Sequence, residues 1–141
     1  NVLPILKTNF AEICAAVANN ELADLAEDVE FMNKATVCKY VVPAGYPNNP
    51  KTGRIMVPSC EKDGIRALVY YASVEEKADG VYTTKSRAAA FTGIADTIED
   101  AEKIAEEAAA KVKGEVYHRR DIGTNQLIQK RVEHIKQLTA Q

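Results

Sequence analysis

Apolar residues recur along the chain with two different spacings, and each spacing predicts a different secondary structure. Near the N-terminus they stand three and four positions apart, as on one face of a helix, with Thr8 as the N-cap and Asn19–Asn20 as the stop. The residues of this face are Phe10, Ile13, Cys14 and Val17. Residues 21–31 are more polar and predict either a short helix or a connector.

Residues 34–95 carry the β-branched and aromatic side chains typical of strands, interrupted by short polar or glycine-containing joints. Strands are predicted in five segments: 34–42, 54–57, 65–73, 80–84 and 87–95. The joints at 61–64 and 75–80 are short, which favours an antiparallel meander. Residues 43–53 are rich in proline, glycine and asparagine and predict a loop that is too long for a simple hairpin.

Helical spacing returns over residues 97–113 and 124–138, and residues 114–123 between them predict an extended segment that ends in a turn. Thr97 and Asp100 give the first of these helices a start similar to a capping box. The predicted inner faces hold Ile98, Ala101, Ala105, Ala108 and Val112 in the first helix, and Ile128, Val132, Ile135 and Leu138 in the second. The carboxylates of the first helix are predicted to point to solvent. The order of elements predicts an α+β fold, an antiparallel sheet with packed helices.

Composition excludes several classes of protein. A net charge of −2 argues against a nucleic-acid-binding protein, and no apolar run approaches the length of a membrane span. Cys14, Cys38 and Cys60 are odd in number and widely spaced, so we expect free thiols and a cytoplasmic protein. The two histidines are sixteen residues apart, and no metal site is expected within the chain. Because the chain opens on Asn1, we expect it to be part of a longer protein.

The segment YHRRDIG, residues 117–123, is the first candidate for anion binding. Arg119 and Arg120 supply a fork of donors, Gly123 allows close backbone approach, and a helix start follows at about Thr124. Because the chain is extended here, the two arginines should point to opposite faces, and one of them at most should reach a given anion. The alternative is an ion pair between an arginine and Asp121 around a turn.

Two further places have basic or flexible residues. In the loop at 43–53, Gly45 and Gly53 permit close backbone approach to a ligand and Lys51 adds a donor, although an ordinary surface loop has the same composition. At 85–87 a Lys-Ser-Arg stretch joins two predicted strands, and such charges also protect sheet edges from aggregation.

Four stretches together resemble a known family. They are NVLPILKTNFAEI, VPAGYP, VYTTKSRAAAFTGIADTIEDAEKIA and YHRRDIG. They are similar, in order, to segments of glycinamide ribonucleotide synthetase, also called phosphoribosylamine–glycine ligase, and they cover most of the chain. The resemblance implies an ATP-grasp enzyme of purine biosynthesis that joins glycine to 5-phosphoribosylamine and cleaves ATP to ADP and phosphate.

The same resemblance implies how the chain is organised. Residues 1–33 would end the ATP-grasp domain, and residues 34–141 would form the C-terminal α+β lid domain. ATP and Mg²⁺ (or Mn²⁺) would be bound mainly by residues outside this chain, so an isolated chain would be inactive and would hold no catalytic residue or metal ligand. The partners implied are glycine, 5-phosphoribosylamine, ATP and the remainder of the ATP-grasp domain, without nucleic acid or membrane.

Carried over by position, Arg87 and Arg119 would bind substrate, at the ribose phosphate or at an active-site carboxylate. Gly45, Tyr46 and Lys51 would supply loop contacts. The chain departs from the family pattern at Lys85 and Ser86, where two glycines are usual, and at Tyr71 and Ser73. Two alternatives remain: the lid domain of another ATP-grasp ligase, and a stand-alone α+β binding module.

Overall fold

The structure, a computed structural model, describes residues 1–64 and 66–139 of the 141-residue chain. The chain divides into two compact units. The N-terminal unit is Asn1–Lys34, and the C-terminal unit begins at Ala35. Within the described ranges, no helix has both the length and the apolar character needed to cross a membrane.

The N-terminal unit is helical. Helix α1 spans Phe10–Asn19 and helix α2 spans Leu22–Leu25, with short 3₁₀ turns at Leu3–Ile5 and Ala26–Asp28. The polar stretch that predicted either a short helix or a connector thus forms a single helical turn that continues into a 3₁₀ turn.

The N-cap predicted for α1 is wrong by one residue. Asn9 caps the helix, and its side-chain oxygen accepts a hydrogen bond from the Ala11 N–H at 3.0 Å. Thr8 instead uses its hydroxyl to accept the Glu30 N–H at 2.8 Å, which ties the start of α1 to the end of the unit. The predicted stop is confirmed, since α1 ends before Asn20 in the left-handed conformation.

The described residues of the C-terminal unit form two antiparallel sheets and three helices. Its elements are β1 (Ala35–Pro43), β2 (Arg54–Ile55), α3 (Cys60–Asp63), β3 (Leu68–Tyr71), β4 (Val74–Lys77), β5 (Gly80–Thr83), β6 (Ala89–Ala95), α4 (Ile98–Ala110), β7 (Val116–His118) and α5 (Asn125–Thr139). The larger sheet has the order β3-β6-β1-β7 and the smaller has the order β2-β5-β4. The α+β class with antiparallel pairing is confirmed, whereas a simple meander is wrong because non-consecutive strands pair.

Two predicted joints are themselves regular structure. Most of the joint at 61–64 lies in α3, and Gly64 is the C-cap of that helix. The N-cap, Ser59, accepts the Lys62 N–H at 3.1 Å. The joint at 75–80 contains most of β4, which forms a hairpin with β5. The strand predicted at 65–73 forms as β3, although its first predicted residue, Ile65, lies outside the described residues.

Helix α4 covers one face of the larger sheet. Along β1 the side chains alternate, so that Val37, Lys39 and Val41 are buried on the side of α4 while their neighbours face the other way. The core beneath α4 consists of Val37, Val41, Ala67, Ala89, Phe91, Ala101, Ala105, Ala108 and Ala109. Small residues therefore dominate the contact between helix and sheet.

The two long helices of the C-terminal unit differ in how well the predicted inner face matches burial. In α4 the predicted alanines are buried, but Ile98, the first residue of the helix, is 47% exposed. The inner face predicted for α5 is wrong, since Ile135 and Leu138 are 59% and 60% exposed. Amphipathic spacing predicts a helix, but burial also requires an opposing surface, and the described chain supplies none over this stripe.

Gly93 of β6 controls how closely α4 lies on the sheet. A Cβ atom at this position would lie 2.0 Å from the Ala101 carbonyl oxygen and 3.0 Å from the Ala105 nitrogen. We expect Gly93→Ala to lower the free energy of unfolding by about 2 kcal/mol or more, because backbone atoms cannot yield as side chains do. Urea denaturation measures this change.

Gly53→Ala is the matched control for that substitution. In the described part of the chain, an added methyl at Gly53 would meet no atom within 4 Å. Its effect should stay within about 0.5 kcal/mol. Equal stability of the two variants would contradict the packing described for Gly93.

Candidate functional site

An open, largely aromatic cleft of about 400 Å³ lies mainly on the face of the larger sheet opposite α4. The cleft, called the sheet cleft below, is lined by Cys38, Tyr40, Val42, Tyr46, Tyr117, His118, Arg119 and Ile122. Three of these residues alternate along β1 with the buried positions, which is why they share one face. Apolar walls with a few polar groups at the rim are typical of a ligand site.

Arg119 lines the sheet cleft and forms an ion pair with Asp121. Its Nε donates to Asp121 Oδ1 at 3.0 Å and its Nη2 donates to Asp121 Oδ2 at 2.6 Å. This is the ion pair around a turn that the sequence left open. The bond lowers the pKa of Asp121 below its usual 3.8 and raises the pKa of Arg119. Because the pair uses only one edge of the guanidinium, the other edge remains to donate to an anion.

Arg87 stacks on Tyr40, one of the residues that line the sheet cleft. Its guanidinium carbon lies 4.7 Å from the centre of the Tyr40 ring, a cation–π distance, and Tyr40 lines the sheet cleft together with Arg119. Of the two sequence-predicted arginines, Arg119 lines the sheet cleft, whereas Arg87 stacks on Tyr40, which is a lining residue. Arg120 differs, with a side chain 80% exposed and its Nε 3.8 Å from Glu106 Oε1.

The three loop residues occupy different places. Tyr46 lines the sheet cleft and is followed by a cis peptide bond to Pro47. Gly45 shapes the loop, because its φ is +81° and an added Cβ would lie 2.1 Å from the Asn49 carbonyl oxygen. Lys51 forms an exposed ion pair with Glu115 at 3.6 Å. Of the three, Tyr46 is the one at the cleft.

Beneath the sheet, on the side of α4, lies a buried charge cluster that sequence reasoning missed. Lys39 has a fully buried side chain whose Nζ donates to Glu102 Oε1 at 2.6 Å, to Glu106 Oε2 at 2.7 Å and to the Arg120 carbonyl at 2.8 Å. His118, which also lines the sheet cleft, has its Nε2 3.1 Å from Glu106 Oε1. We refer to Lys39, Glu102, Glu106 and His118 as the Lys39 cluster.

The prediction that the α4 carboxylates point to solvent is wrong for Glu102 and Glu106. They are four residues apart on the helix, and their side chains are only 14% and 27% exposed. The signal was available in the alternation of β1, which places Lys39 at an inward position between two valines. A buried ammonium requires acceptors, and a pair of carboxylates on the facing helix supplies them.

Burial raises the pKa of Glu106, but hydrogen bonds from Lys39 and His118 outweigh it and hold the pKa below its usual 4.5. The described residues contain no group of three His, Cys, Asp or Glu side chains arranged to hold a metal ion. Cys14 and Cys38 are free thiols.

Comparison with known proteins identifies the family. Residues 36–125 match the family described as phosphoribosylglycinamide synthetase, C domain. Three curated relatives named phosphoribosylamine–glycine ligase are 53%, 50% and 51% identical over 141, 139 and 139 residues, in Methanocaldococcus jannaschii, Methanococcus vannielii and Methanosarcina acetivorans. Each alignment covers 98% of this chain but only 31%, 31% and 30% of the relative.

A solved structure supports the same assignment. The crystal structure of phosphoribosylamine–glycine ligase from Thermotoga maritima is similar, with a TM-score of 0.51 and 32% identity, over 59% of this chain and 20% of that chain. The fold and the sequence both indicate the α+β C domain of a ligase. The chain belongs to the phosphoribosylglycinamide synthetase family, as the four stretches indicated, and spans about a third of the length of the curated relatives it matches.

The lowered pKa of Glu106 predicts how stability depends on pH. A carboxyl with a folded pKa below 4.5 contributes stability that is complete above 4.5 and is lost as pH falls through the folded value. We expect Glu106→Gln to lose this dependence, so that its free energy of unfolding falls less than that of the parent between about pH 5 and pH 3. Urea titrations across that range test the difference.

Glu76→Gln serves as the control, since Glu76 lies exposed on β4. It should retain the acid dependence of the parent protein. Parallel pH profiles for the parent and Glu106→Gln would show that the Lys39 cluster does not hold this carboxylate in its charged form.

Proposed function

We propose that this chain is the C-terminal portion of an ATP-dependent ligase that joins glycine to 5-phosphoribosylamine. The observation that carries the proposal is the identity of about half the residues, over 98% of the chain, with relatives named phosphoribosylamine–glycine ligase. Because the chain spans 31% of such a relative, the activity would belong to the longer protein. ATP and a divalent metal ion would supply the phosphoryl-transfer chemistry, held mainly outside this chain.

The part played by this chain would be to bind and orient the acceptor substrate. Asp121 accepts two hydrogen bonds from one edge of the Arg119 guanidinium. This ion pair fixes the orientation of the group and so the direction in which its other edge can donate. Arg87 is packed on Tyr40, a residue that lines the sheet cleft, and would add a second positive charge. Two fixed guanidinium groups are suited to a phosphate monoester such as the ribose phosphate, because each can donate two parallel hydrogen bonds.

The domain assignment is part of the proposal. Residues 1–33 would end the ATP-grasp domain, and residues 34–141 would form the lid domain that closes over the acceptor. Exposed apolar side chains support a location inside a larger protein, since exposed apolar patches mark surfaces that a partner covers. They include Phe10 and Val17 on α1 and Ile135 and Leu138 on α5, each more than half exposed. Free thiols and the purine-pathway relatives favour a cytoplasmic location.

A stand-alone α+β binding module is the alternative, and the coding sequence distinguishes the two. The proposal requires an upstream segment about twice as long as this chain, with the pattern of an ATP-grasp domain, because the relatives have that proportion. A start codon directly before Asn1 would contradict the ligase and favour the module.

The substrate role of Arg119 predicts a selective kinetic defect. In the full-length ligase, Arg119→Ala should raise the KM for 5-phosphoribosylamine by about 10- to 100-fold, the loss expected for a charge-assisted hydrogen bond. The KM for ATP should change by no more than about twofold, because ATP would be bound elsewhere. Steady-state kinetics with each substrate varied in turn measures both constants.

Arg120→Ala is the matched control, since this neighbouring arginine is 80% exposed. It should leave both KM values near those of the parent enzyme. If Arg119→Ala has parent-like kinetics and only a lower melting temperature, Arg119 serves the turn through Asp121 and not the substrate.

A further inference from the structure

Lys39 uses all three protons of its buried ammonium. Two go to carboxylates of α4, Glu102 and Glu106, and the third goes to a backbone carbonyl, that of Arg120, at 2.8 Å. Transfer of an ammonium out of water is costly, and only a complete set of acceptors with good geometry offsets the cost. The third acceptor is the informative one, because it belongs to the turn that carries Arg119.

The bond from Lys39 fixes the peptide between Arg120 and Asp121, one residue beyond Arg119. On the other side of Arg119, His118 is held by Glu106, with Nε2 at 3.1 Å and 3.2 Å from the two carboxylate oxygens. The residues that flank Arg119 are therefore both anchored to the Lys39 cluster. The Arg119 guanidinium is oriented by the Asp121 carboxylate. The backbone nitrogen of Asp121 belongs to the peptide group that Lys39 holds.

The end of the turn is anchored as well, at Gly123. Its φ is +81°, and an added Cβ would lie 2.7 Å from Val37 Cγ1 and 3.3 Å from Glu102 Cγ. Ile122 packs against the core beneath α4. The turn therefore packs closely against β1 and α4. A shift of the Arg120 carbonyl would displace the other residues of the turn.

Lys39 cannot act on a ligand directly. It is buried on the α4 face of β1, whereas its neighbours Cys38 and Tyr40 point the other way and line the sheet cleft. Its effect at the cleft would pass through the backbone of the turn. Stability alone gives little reason for such a group, because a buried ion pair is often no more stabilising than apolar residues of the same volume.

We propose that Lys39, held by Glu102 and Glu106, is a positioning residue for Arg119: it fixes the backbone from which Arg119 presents its guanidinium to the acceptor substrate. This inference rests on the proposed function, in which Arg119 binds the phosphate of 5-phosphoribosylamine. It adds a residue that neither contacts the substrate nor lies on the substrate face. The guanidinium geometry at the cleft is thereby set from beneath the sheet.

A double-mutant cycle in the full-length ligase tests the proposal. Lys39→Met should raise the KM for 5-phosphoribosylamine by about tenfold or more, since small misplacements of a binding group carry such costs, and should leave the KM for ATP within about twofold. Combined with Arg119→Ala, it should add nothing beyond the effect of Arg119→Ala alone, because both changes remove the same interaction. Lys103→Met is the control, an exposed lysine of α4 paired with Glu99.

A second variant guards against misfolding caused by the carboxylates that Lys39→Met leaves without their cation. The triple variant Lys39→Met, Glu102→Gln, Glu106→Gln removes every charge at once, and the same kinetic results are expected from it. Failure of both variants to fold would assign the cluster to stability and overturn the positioning role.

The kinetic outcomes separate the two proposals. If Arg119→Ala raises the KM for 5-phosphoribosylamine but Lys39→Met leaves it unchanged, or adds its full effect to that of Arg119→Ala, the positioning role fails and the substrate role of Arg119 stands. If Arg119→Ala itself leaves that KM unchanged, the proposed substrate role fails, and the positioning role fails with it.

Discussion

The close approach of α4 to β1 and β6 is the constraint on which the C-terminal unit depends. It is possible because the contact is made of small residues, with Gly93 beneath the Ala101 carbonyl and alanines along the helix face. At this distance the side chains of Glu102 and Glu106 reach Lys39 across the contact. A larger residue at Gly93 would separate helix and sheet, and the same displacement would pull the carboxylates away from their cation.

Alternation along β1 links this packed face to the sheet cleft. Successive residues point to opposite sides, so Lys39 lies in the charge cluster while Tyr40 lies in the cleft with the Arg87 guanidinium on its ring. The strand therefore couples the position of α4 to the position of the cleft. The turn that begins at Arg119 closes the connection, because it contacts both the cluster and the cleft.

The two faces of the larger sheet also differ in how much apolar surface they leave exposed. The α4 face is complete, with its charges paired and its alanines buried. The cleft face and the stripe on α5 keep aromatic and aliphatic side chains exposed, including Tyr70, Tyr117 and Leu138. A domain that is well packed on one face and exposes apolar side chains on the other is suited to close against a neighbouring domain. This is the arrangement proposed for the intact ligase.

Local sequence determined most of the elements and their chemistry. The period of α4, its Thr97 cap, which accepts the Asp100 N–H at 3.1 Å, and the alternation of β1 are properties of neighbouring residues, so sequence alone predicts them. The tertiary structure decided the strand order, the exposure of α5 and the partners of Lys39, which lie 63 to 81 positions away along the chain. The alternation of β1 shows that Lys39 points inward, but not which acceptors it meets, because only the packing of α4 on the sheet brings those partners to it.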